Sequence, residues 1–363
     1  MILKTIGWNN EWEKHFNLMK DELRNTGKEE TEYIPGRIKT VFKDQYKILT
    51  ENGEVDGITS GKMSYEFLYA AKYPTVGDWV ILEENSHGPS RIHGILPRKG
   101  VFQRQEAGGS LEAQLIAANV DQCFIMQTYG NDFNLARMDR YITLAWNSGA
   151  LPIVVLTKAD LAKSEVIQEI FNRVNKSFPE IEVISVSALT GQGFEEFQKR
   201  LTPGKTHMVL GSSGVGKSTT LNRLLGKVAA KTKEVRESDQ RGKHTTTHRE
   251  MYLLDNGGMY IDTPGMRELA LFRNEGMEES FQDVIKFGMQ CRFKDCSHKD
   301  EPGCEVQNAL EKGELSADRL KSYQKLLNEK KRERSREIRL QKKRSKEKIK
   351  KNKVHYKDFV RNG

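Results

Sequence analysis

Hydrophobic positions change rhythm along the chain, and each change predicts a different kind of structure. Within residues 1 to about 30, Trp8, Trp12, Phe16 and Met19 recur at the three- and four-residue steps that line one face of a helix. This predicts a helical lead-in over 1–32, docked on the next domain. From Tyr33 to about Leu96 the rhythm shortens to partial alternation, in Ile34–Phe42, Gln45–Thr50, Glu54–Ile58, Asp78–Glu83 and Arg91–Leu96. Turn residues such as Asn52 and Gly53, and the run Val76 to Asp78, separate these segments. Five short strands predict a small β-barrel over 33–97, and an oligonucleotide-binding barrel is one common form of it. A barrel with no such ligand fits the pattern equally well. Lys39, Lys43, Lys47 and Tyr46 are placed either to meet a phosphate backbone or to sit as ordinary solvated positions.

Pro97 to Gly100 and Ala107 to Ser110 then break all periodicity and predict a flexible linker over 98–118. Beyond it, apolar runs alternate with helical spacing. Val120–Thr128, Leu151–Leu156, Val183–Ser187 and Lys205–Leu210 read as buried strands. Leu135–Ser148, residues 163–176, Phe194–Leu201 and Ser218–Leu225 read as helices, and further strands fall near Arg249–Leu254 and Met259–Asp262. Strands alternating with helices imply a parallel sheet covered on both faces, here an α/β domain over 119–275. Ligands of such sheets bind at the carboxyl ends of the strands.

Charge sharpens this division. The net charge is +9, but Lys330–Lys353 alone carries 14 Lys+Arg against three Asp+Glu, leaving 45 basic and 47 acidic residues elsewhere. A basic tail over 329–363 favours an arm along RNA, or else is a plain solvated helix. No apolar run reaches the roughly 18 residues a membrane span needs. The N-terminus lacks the apolar core and cleavage site of a secretory signal. Three of the four cysteines cluster late with a histidine, which suits a metal site in a reducing compartment better than disulfides. Together these features predict a cytoplasmic protein without a membrane partner.

The candidate chemistry sits at the predicted strand ends. Gly211, Ser212, Ser213, Gly214, Val215, Gly216, Lys217 and Ser218 fit G-x-x-x-x-G-K-[ST], between a strand and a helix. Glycines there let backbone N–H groups close around phosphate, and the helix N-terminus adds partial positive charge. Lys217 is expected to reach the β- and γ-phosphates, Ser218 to ligate magnesium, and Thr219 to join the same nucleotide contacts. Asp262 to Gly265 reads D-x-x-G, with Asp262 assigned to magnesium and the Gly265 N–H to the γ-phosphate. Between these motifs lies the run Arg241 to Thr247, in which Thr246 is the favoured magnesium ligand, with Thr245 and Thr247 remaining open. Thr157, Lys158, Ala159 and Asp160 match [N/T]-K-x-D, whose carboxylate accepts from the paired N–H donors of guanine, a pair that adenine lacks. Ser187 and Ala188, at the next strand end, match the short backbone element that contacts guanine O6. Cys291, Cys296, His298 and Cys304 supply three thiolates and an imidazole within 14 residues, the ligand set of a closed structural zinc site in a domain over 276–328. Cys123, alone in a strand, reads as core.

The base-reading elements precede the phosphate loop instead of following it. A sheet of this kind tolerates that order if old termini are joined and new ones opened. This permuted order resembles the small-ribosomal-subunit-dependent GTPases of bacterial ribosome biogenesis (ribosome biogenesis GTPase A). The resemblance runs from about Tyr33 to about Leu320 and includes Gly77–Val80, Ile116–Asp121, Leu135–Tyr141, Gly211–Ser218, His244–Thr247, Asp262–Gly265 and the Cys/His cluster. It implies an oligonucleotide-binding barrel, a circularly permuted GTPase domain and a mainly helical zinc domain. It also implies late maturation of the small subunit, with GTP hydrolysis stimulated by that particle; the expected partners are the subunit and its rRNA, and the chain is expected to be a monomer. Two features depart from the family pattern: Thr157 stands where Asn is usual, and the long basic tail is additional. Met266 follows the D-x-x-G motif where many GTPases carry a water-orienting Gln, so slow unassisted hydrolysis is expected. His244 is the internal candidate for that water, though local packing or an RNA contact also fits it. Gly214 occupies the position of the Asn found in potassium-dependent GTPases, so no potassium site is expected. Two other readings stay open on the residues alone: a GTPase of another translation or RNA-modification branch, and an RNA-binding module holding guanine nucleotide as a structural ligand.

Overall fold

The computed structural model describes residues 2–25, 31–42, 45–61, 73–85, 87–105, 113–130, 132–226, 249–262, 281–293, 296–299, 301–317, 319–325 and 327–328. The chain forms two compact units, Met1–Ser280 and Phe281–Gly363.

The lead-in forms α1 (Ile2–Thr5) and α2 (Asn10–Arg24). The Asn9 side chain accepts from the N–H groups of Glu11 and Trp12, capping α2. Trp12 and Phe16 are buried, and the Trp8 and Trp12 rings lie 4.8 and 6.1 Å from Trp79. The helical stripe is therefore a docking face, as its spacing predicts.

Trp79 belongs to a closed five-stranded barrel made of β1 (Tyr33–Val41), β2 (Tyr46–Thr50), β3 (Gly53–Thr59), β4 (Trp79–Glu83) and β5 (Ser90–Ile95). Pairing runs β1–β2–β3–β5–β4 and back to β1, parallel only between β3 and β5. Ile38, Tyr46, Ile48, Val80, Leu82 and Ile92 fill its interior. Tyr46 is thus a core residue and is not available to a phosphate backbone. Lys39 and Lys47 lie in acidic company, with Glu54 2.7 Å from Lys39 and Asp56 2.8 Å from Lys47, so their charge is locally matched. Lys43 lies outside the described residues.

In place of the expected linker, β6 (Val101–Gln105) and β7 (Ala113–Ala118) pair as an antiparallel hairpin. The glycine-rich stretch falls between two strands that pair, so it reads as a break from sequence alone.

The α/β part contains β8 (Gln122–Thr128), α3 (Leu135–Asn147), β9 (Leu151–Thr157), α4 (Ser164–Ser177), β10 (Glu182–Val186), α5 (Phe194–Lys199), β11 (Thr206–Gly211), α6 (Lys217–Leu224), β12 (Arg249–Leu253) and β13 (Met259–Asp262). Its strand order is β10-β9-β8-β11-β13-β12, parallel except for β12. Phe124, Met126, Ile153, Val155 and Val209 pack with Phe194, Phe197 and Leu221, joining the sheet to α5 and α6. Continuous apolar strands are what a sheet buried on both faces requires.

The two sheets are one. Strand β12 pairs antiparallel with barrel strand β1, Thr40 opposite Glu250 and Val41 opposite Arg249. A buried cation secures the same joint. The Arg37 guanidinium on β1 donates to the carbonyls of Ile6, Gly77 and Asn119 and to Thr206 Oγ1 at 2.6 Å, and it lies 5.0 Å from the Trp79 ring centre. Burial lowers its pKa to about 10, which leaves it charged at neutral pH. Asp78, also buried, is gripped by Arg98 at 2.7 Å through both carboxylate oxygens. Gly77 has φ +90°, and a Cβ there would fall 2.2 Å from the Ala118 carbonyl. The segments Gly77–Val80 and Ile116–Asp121 therefore build the joint between barrel and α/β sheet.

The second unit contains α7 (Gln282–Gly288) and α8 (Glu305–Glu311), with Arg319 donating to Asp283 at 3.0 and 3.1 Å. Among the described residues no helix is long and apolar enough to cross a membrane.

Candidate nucleotide and metal sites

The phosphate loop lies between β11 and α6. Gly214 and Gly216 have φ of +80° and +108°, values a Cβ disfavours, so glycine is required for the loop's path. Lys217 is buried, and its Nζ donates to the carbonyls of Gly211 at 2.7 Å and Ser212 at 2.8 Å. The ammonium is thereby fixed over its own loop, at the start of a helix whose dipole favours anions. Val215 is buried, whereas Ser213, Gly214 and Thr219 are exposed and Ser218 is half-buried.

The segment expected to read the base begins where β9 ends. Thr157 is buried, and its hydroxyl lies 2.6 Å from the Val215 carbonyl and 3.2 Å from that of Gln127. A hydroxyl has one hydrogen to give, and here it goes to the backbone. Lys158 then takes a left-handed conformation at φ +58°, and Ala159–Leu161 form a single 3-10 turn. Ala159 is buried while Lys158 and Asp160 are exposed, so the turn presents the carboxylate and the amine. On the adjacent strand end Ser187 is buried and its Oγ accepts from the Thr190 N–H. Ala188 is half-buried beside it, against the core beneath α5 and α6. Asp262 closes β13, the other neighbour of β11. His244, Thr246 and Gly265 lie outside the described residues.

Asp132 and Arg223 join this arrangement without any motif announcing them. Ser212 Oγ donates to Asp132 Oδ2 at 2.7 Å, and Arg137 pairs with the same carboxylate at 3.0 Å. Partial burial pushes the Asp132 carboxyl up, but the hydrogen bonds from Ser212 and Arg137 outweigh it and leave the pKa lowered. Its place after β8, at the carboxyl edge of the sheet, was the available signal. Arg223, on α6, donates to the carbonyls of Ala188 at 2.8 Å and Leu189 at 3.1 Å.

In the second unit the ligand atoms of Cys291, Cys296, His298 and Cys304 all lie within 4.8 Å of one another. Cys291 Sγ and Cys304 Sγ are 3.8 Å apart, and His298 Nδ1 is 3.6 and 3.7 Å from them. A tetrahedral ion with bonds of about 2.3 Å to sulfur and 2.0 Å to nitrogen has edges of about 3.8 and 3.5 Å, so the donor set fits zinc. His298 has φ +58°, and the Gln307 side chain donates to its carbonyl at 2.7 Å. Glu301 accepts from the N–H groups of Ser297 and Lys299, fixing the knuckle between ligands. A bond from the Ser297 hydroxyl, with those from the two N–H groups, holds the Glu301 carboxyl down, at about 2.

Comparison with known proteins assigns this arrangement to a family. A sequence model described as RsgA GTPase matches residues 95–272. A Lactiplantibacillus plantarum protein named small ribosomal subunit biogenesis GTPase RsgA 2 is 43% identical over 296 residues, covering 82% of this chain and 83% of its own. The chain belongs to the RsgA GTPase family. A Methanosarcina acetivorans protein named small ribosomal subunit biogenesis GTPase RsgA is 38% identical over 325 residues, 89% of this chain and 84% of that one. The crystal structure of YjeQ from Thermotoga maritima superposes with a TM-score of 0.61 at 27% identity, covering 82% of this chain and 98% of that one. YloQ, described as a circularly permuted GTPase, shares the fold, with a TM-score of 0.57 at 23% identity over 82% of this chain and 95% of that one. As a member of the RsgA GTPase family the chain is a GTPase, with a barrel, a permuted nucleotide domain and a Cys/His cluster.

Proposed function

We propose that the crevice across β9, β10, β11 and β13 binds GTP with magnesium, and that the protein hydrolyses it while assisting late maturation of the small ribosomal subunit. One contact carries the nucleotide reading: the bond from Thr157 to Val215 draws the base-reading turn against the phosphate loop. Asp160 then accepts from guanine while the Lys158 stem covers the base, and Ser187 and Ala188 turn backbone toward O6. The amides of Gly214 to Ser218 and the Lys217 ammonium hold the phosphates. Magnesium, held by Ser218 and Asp262 with Thr246 completing its shell, supplies charge neutralisation at the phosphates. Gly265 senses the γ-phosphate, and His244 orients the attacking water, a role Met266 cannot fill. Cys291, Cys296, His298 and Cys304 hold one structural zinc.

The partner reading rests on the relatives, which are named for small-subunit biogenesis. It makes the small subunit and its rRNA the partners of a monomeric, cytoplasmic protein, with the basic segment Lys330–Lys353 lying along RNA. The test is turnover of GTP with and without purified small subunits, with nucleotide-dependent co-sedimentation measured alongside. We expect slow basal turnover, a marked rise with particles, and tighter co-sedimentation with a non-hydrolysable GTP analogue than with GDP. A rate that particles leave unchanged overturns the assignment.

A further inference from the structure

We infer that Arg223 is a positioning residue for guanine recognition, clamping the Ala188 and Leu189 carbonyls, next to the proposed base-contacting backbone of Ser187 and Ala188, to the helix that begins at the phosphate loop. The inference rests on the guanine site proposed above and extends it to a residue outside every nucleotide motif of the sequence.

The segment after β10 has little of its own to hold it. Ser187 is buried, but Leu189 is 76% exposed and Thr190 is exposed as well. Backbone bonds from Ser187 N–H to the Gln192 carbonyl and from Gly191 N–H to the Ser187 carbonyl close the turn on itself. They do not tie it to the phosphate-binding half of the site. Arg223 does. One guanidinium nitrogen, Nη1, reaches both the Ala188 carbonyl at 2.8 Å and the Leu189 carbonyl at 3.1 Å. The guanidinium lies 5.0 Å from the Phe194 ring centre, on α5, the next helix after the turn. Gly191, at φ +92°, leaves room for it: a Cβ there would fall 2.4 Å from Arg223 Nη2. Arg223 thus touches the turn on one side and stacks on the helix after it on the other.

The geometry has a chemical consequence. In a trans peptide the carbonyl and the following N–H point in opposite directions. Fixing the Ala188 carbonyl toward α6 fixes the peptide plane that follows Ala188, turning the Leu189 N–H away from α6 and holding one side of the residue whose backbone is proposed to meet O6. A backbone donor that reads a carbonyl on a base discriminates only if its direction is held before the base arrives. Arg223 sits six residues after Lys217 on the same short helix, so the phosphate grip and the base edge are set by one rigid piece. An ammonium has donors enough for the two carbonyls that Nη1 reaches, but it lacks the flat guanidinium face that lies on the Phe194 ring and fixes the donor's position.

The experiment measures dissociation constants for GDP, ADP and xanthosine diphosphate by competition against a fluorescent guanine nucleotide. The chains compared are the parent, Arg223→Ala, Arg223→Lys and, as control, Asp160→Asn. Thermal unfolding is recorded for each. We expect Arg223→Ala to weaken GDP about five- to tenfold and to leave ADP unchanged, so that guanine preference shrinks. Arg223→Lys is expected to recover part of that loss. Asp160→Asn is expected to shift preference from GDP toward xanthosine diphosphate, because the amide presents a donor where the carboxylate accepted. Equal weakening of GDP and ADP in Arg223→Ala places the effect on the phosphate loop and overturns the inference, as does unchanged guanine preference. If Asp160→Asn also leaves preference unchanged, the guanine site itself is misassigned, a failure distinct from that of Arg223 alone. Should Arg223→Ala not fold, the preference ratio of Arg223→Lys decides: a ratio equal to the parent's sinks the clamp.

Discussion

Thr157 offers a hydroxyl that has one hydrogen, and that hydrogen is committed to the backbone. Buried between β8 and the phosphate loop, it is a strut between two halves of the crevice. Thr157→Val keeps the shape and removes the strut, leaving the Val215 carbonyl without that donor. A lost buried hydrogen bond costs about 1–2 kcal/mol. We expect urea unfolding to show a loss of that size and GTP affinity to fall with it. Parental values in both measurements would mean that the hydroxyl is a bystander. His207, buried in β11 four residues before Gly211, makes a second residue-scale case. Its Nε2 donates to the Thr202 carbonyl at 3.3 Å and its ring stacks on Phe124. Burial lowers its pKa to about 4, against about 6.5 for an unfolded chain. Above pH 6.5 both states are neutral and the group contributes nothing to pH dependence. Between 6.5 and 4 the unfolded chain takes up a proton the folded one refuses, so stability falls as pH falls, by about 3 kcal/mol in all. His207→Phe is expected to flatten that part of the pH–stability curve, read by denaturant unfolding from pH 7 to 4.5. An unaltered slope would assign the acid sensitivity to other groups.

At the scale of elements, most of the architecture was legible because each rhythm matched its environment. Runs such as Ile153–Leu156 and Met208–Leu210 are apolar at every position, as strands covered on both faces must be. Barrel strand β2 alternates, with Tyr46, Ile48 and Thr50 buried, whereas β4 is buried from Trp79 to Leu82 because Trp8 and Trp12 lie against Trp79. The lead-in helix showed its docking face through tryptophans. What escaped was non-local. The hairpin at β6 and β7 hides behind its glycines, and nothing in the segment says that its two ends pair. Tyr46 looks like a stacking platform until the barrel closes around it. Arg37 gave no sign of burial, because a cation is satisfied inside only by carbonyls arriving from Ile6, Gly77 and Asn119, distant in sequence. In the candidate site the positive-φ glycine loop, the turn after Lys158 and the convergence of the Cys/His cluster were legible as spacing. Asp132 and Arg223 were not, since each is defined by a partner some 34 or more residues away.

For the whole molecule, the metal cluster gives the clearest stability prediction. The second unit offers two seven-residue helices, α7 and α8, which bury only Val284, Val306 and Ala309, and four converging ligand atoms. Such a unit draws folding energy from its ion. Elemental analysis of the purified chain is expected to give close to one zinc. Removing it with a strong chelator, or substituting Cys304→Ala, is expected to cost helical circular dichroism and raise protease sensitivity within 281–328. GDP affinity should stay near its parental value, because no ligand of the metal belongs to the nucleotide crevice. A chain that is zinc-free yet unchanged in both readouts would leave the cluster without a structural role.

The pairing of β12 with β1 carries a mechanical implication. Strand β12 begins directly after the segment holding His244 and Thr246, and it is stitched to the barrel at Thr40 and Val41. Any displacement of that strand drags the barrel along or tears the two stitches. A grip on the barrel by some large assembly would, by the same linkage, be felt along β12 and its partner β13, which ends at Asp262, with no separate messenger needed.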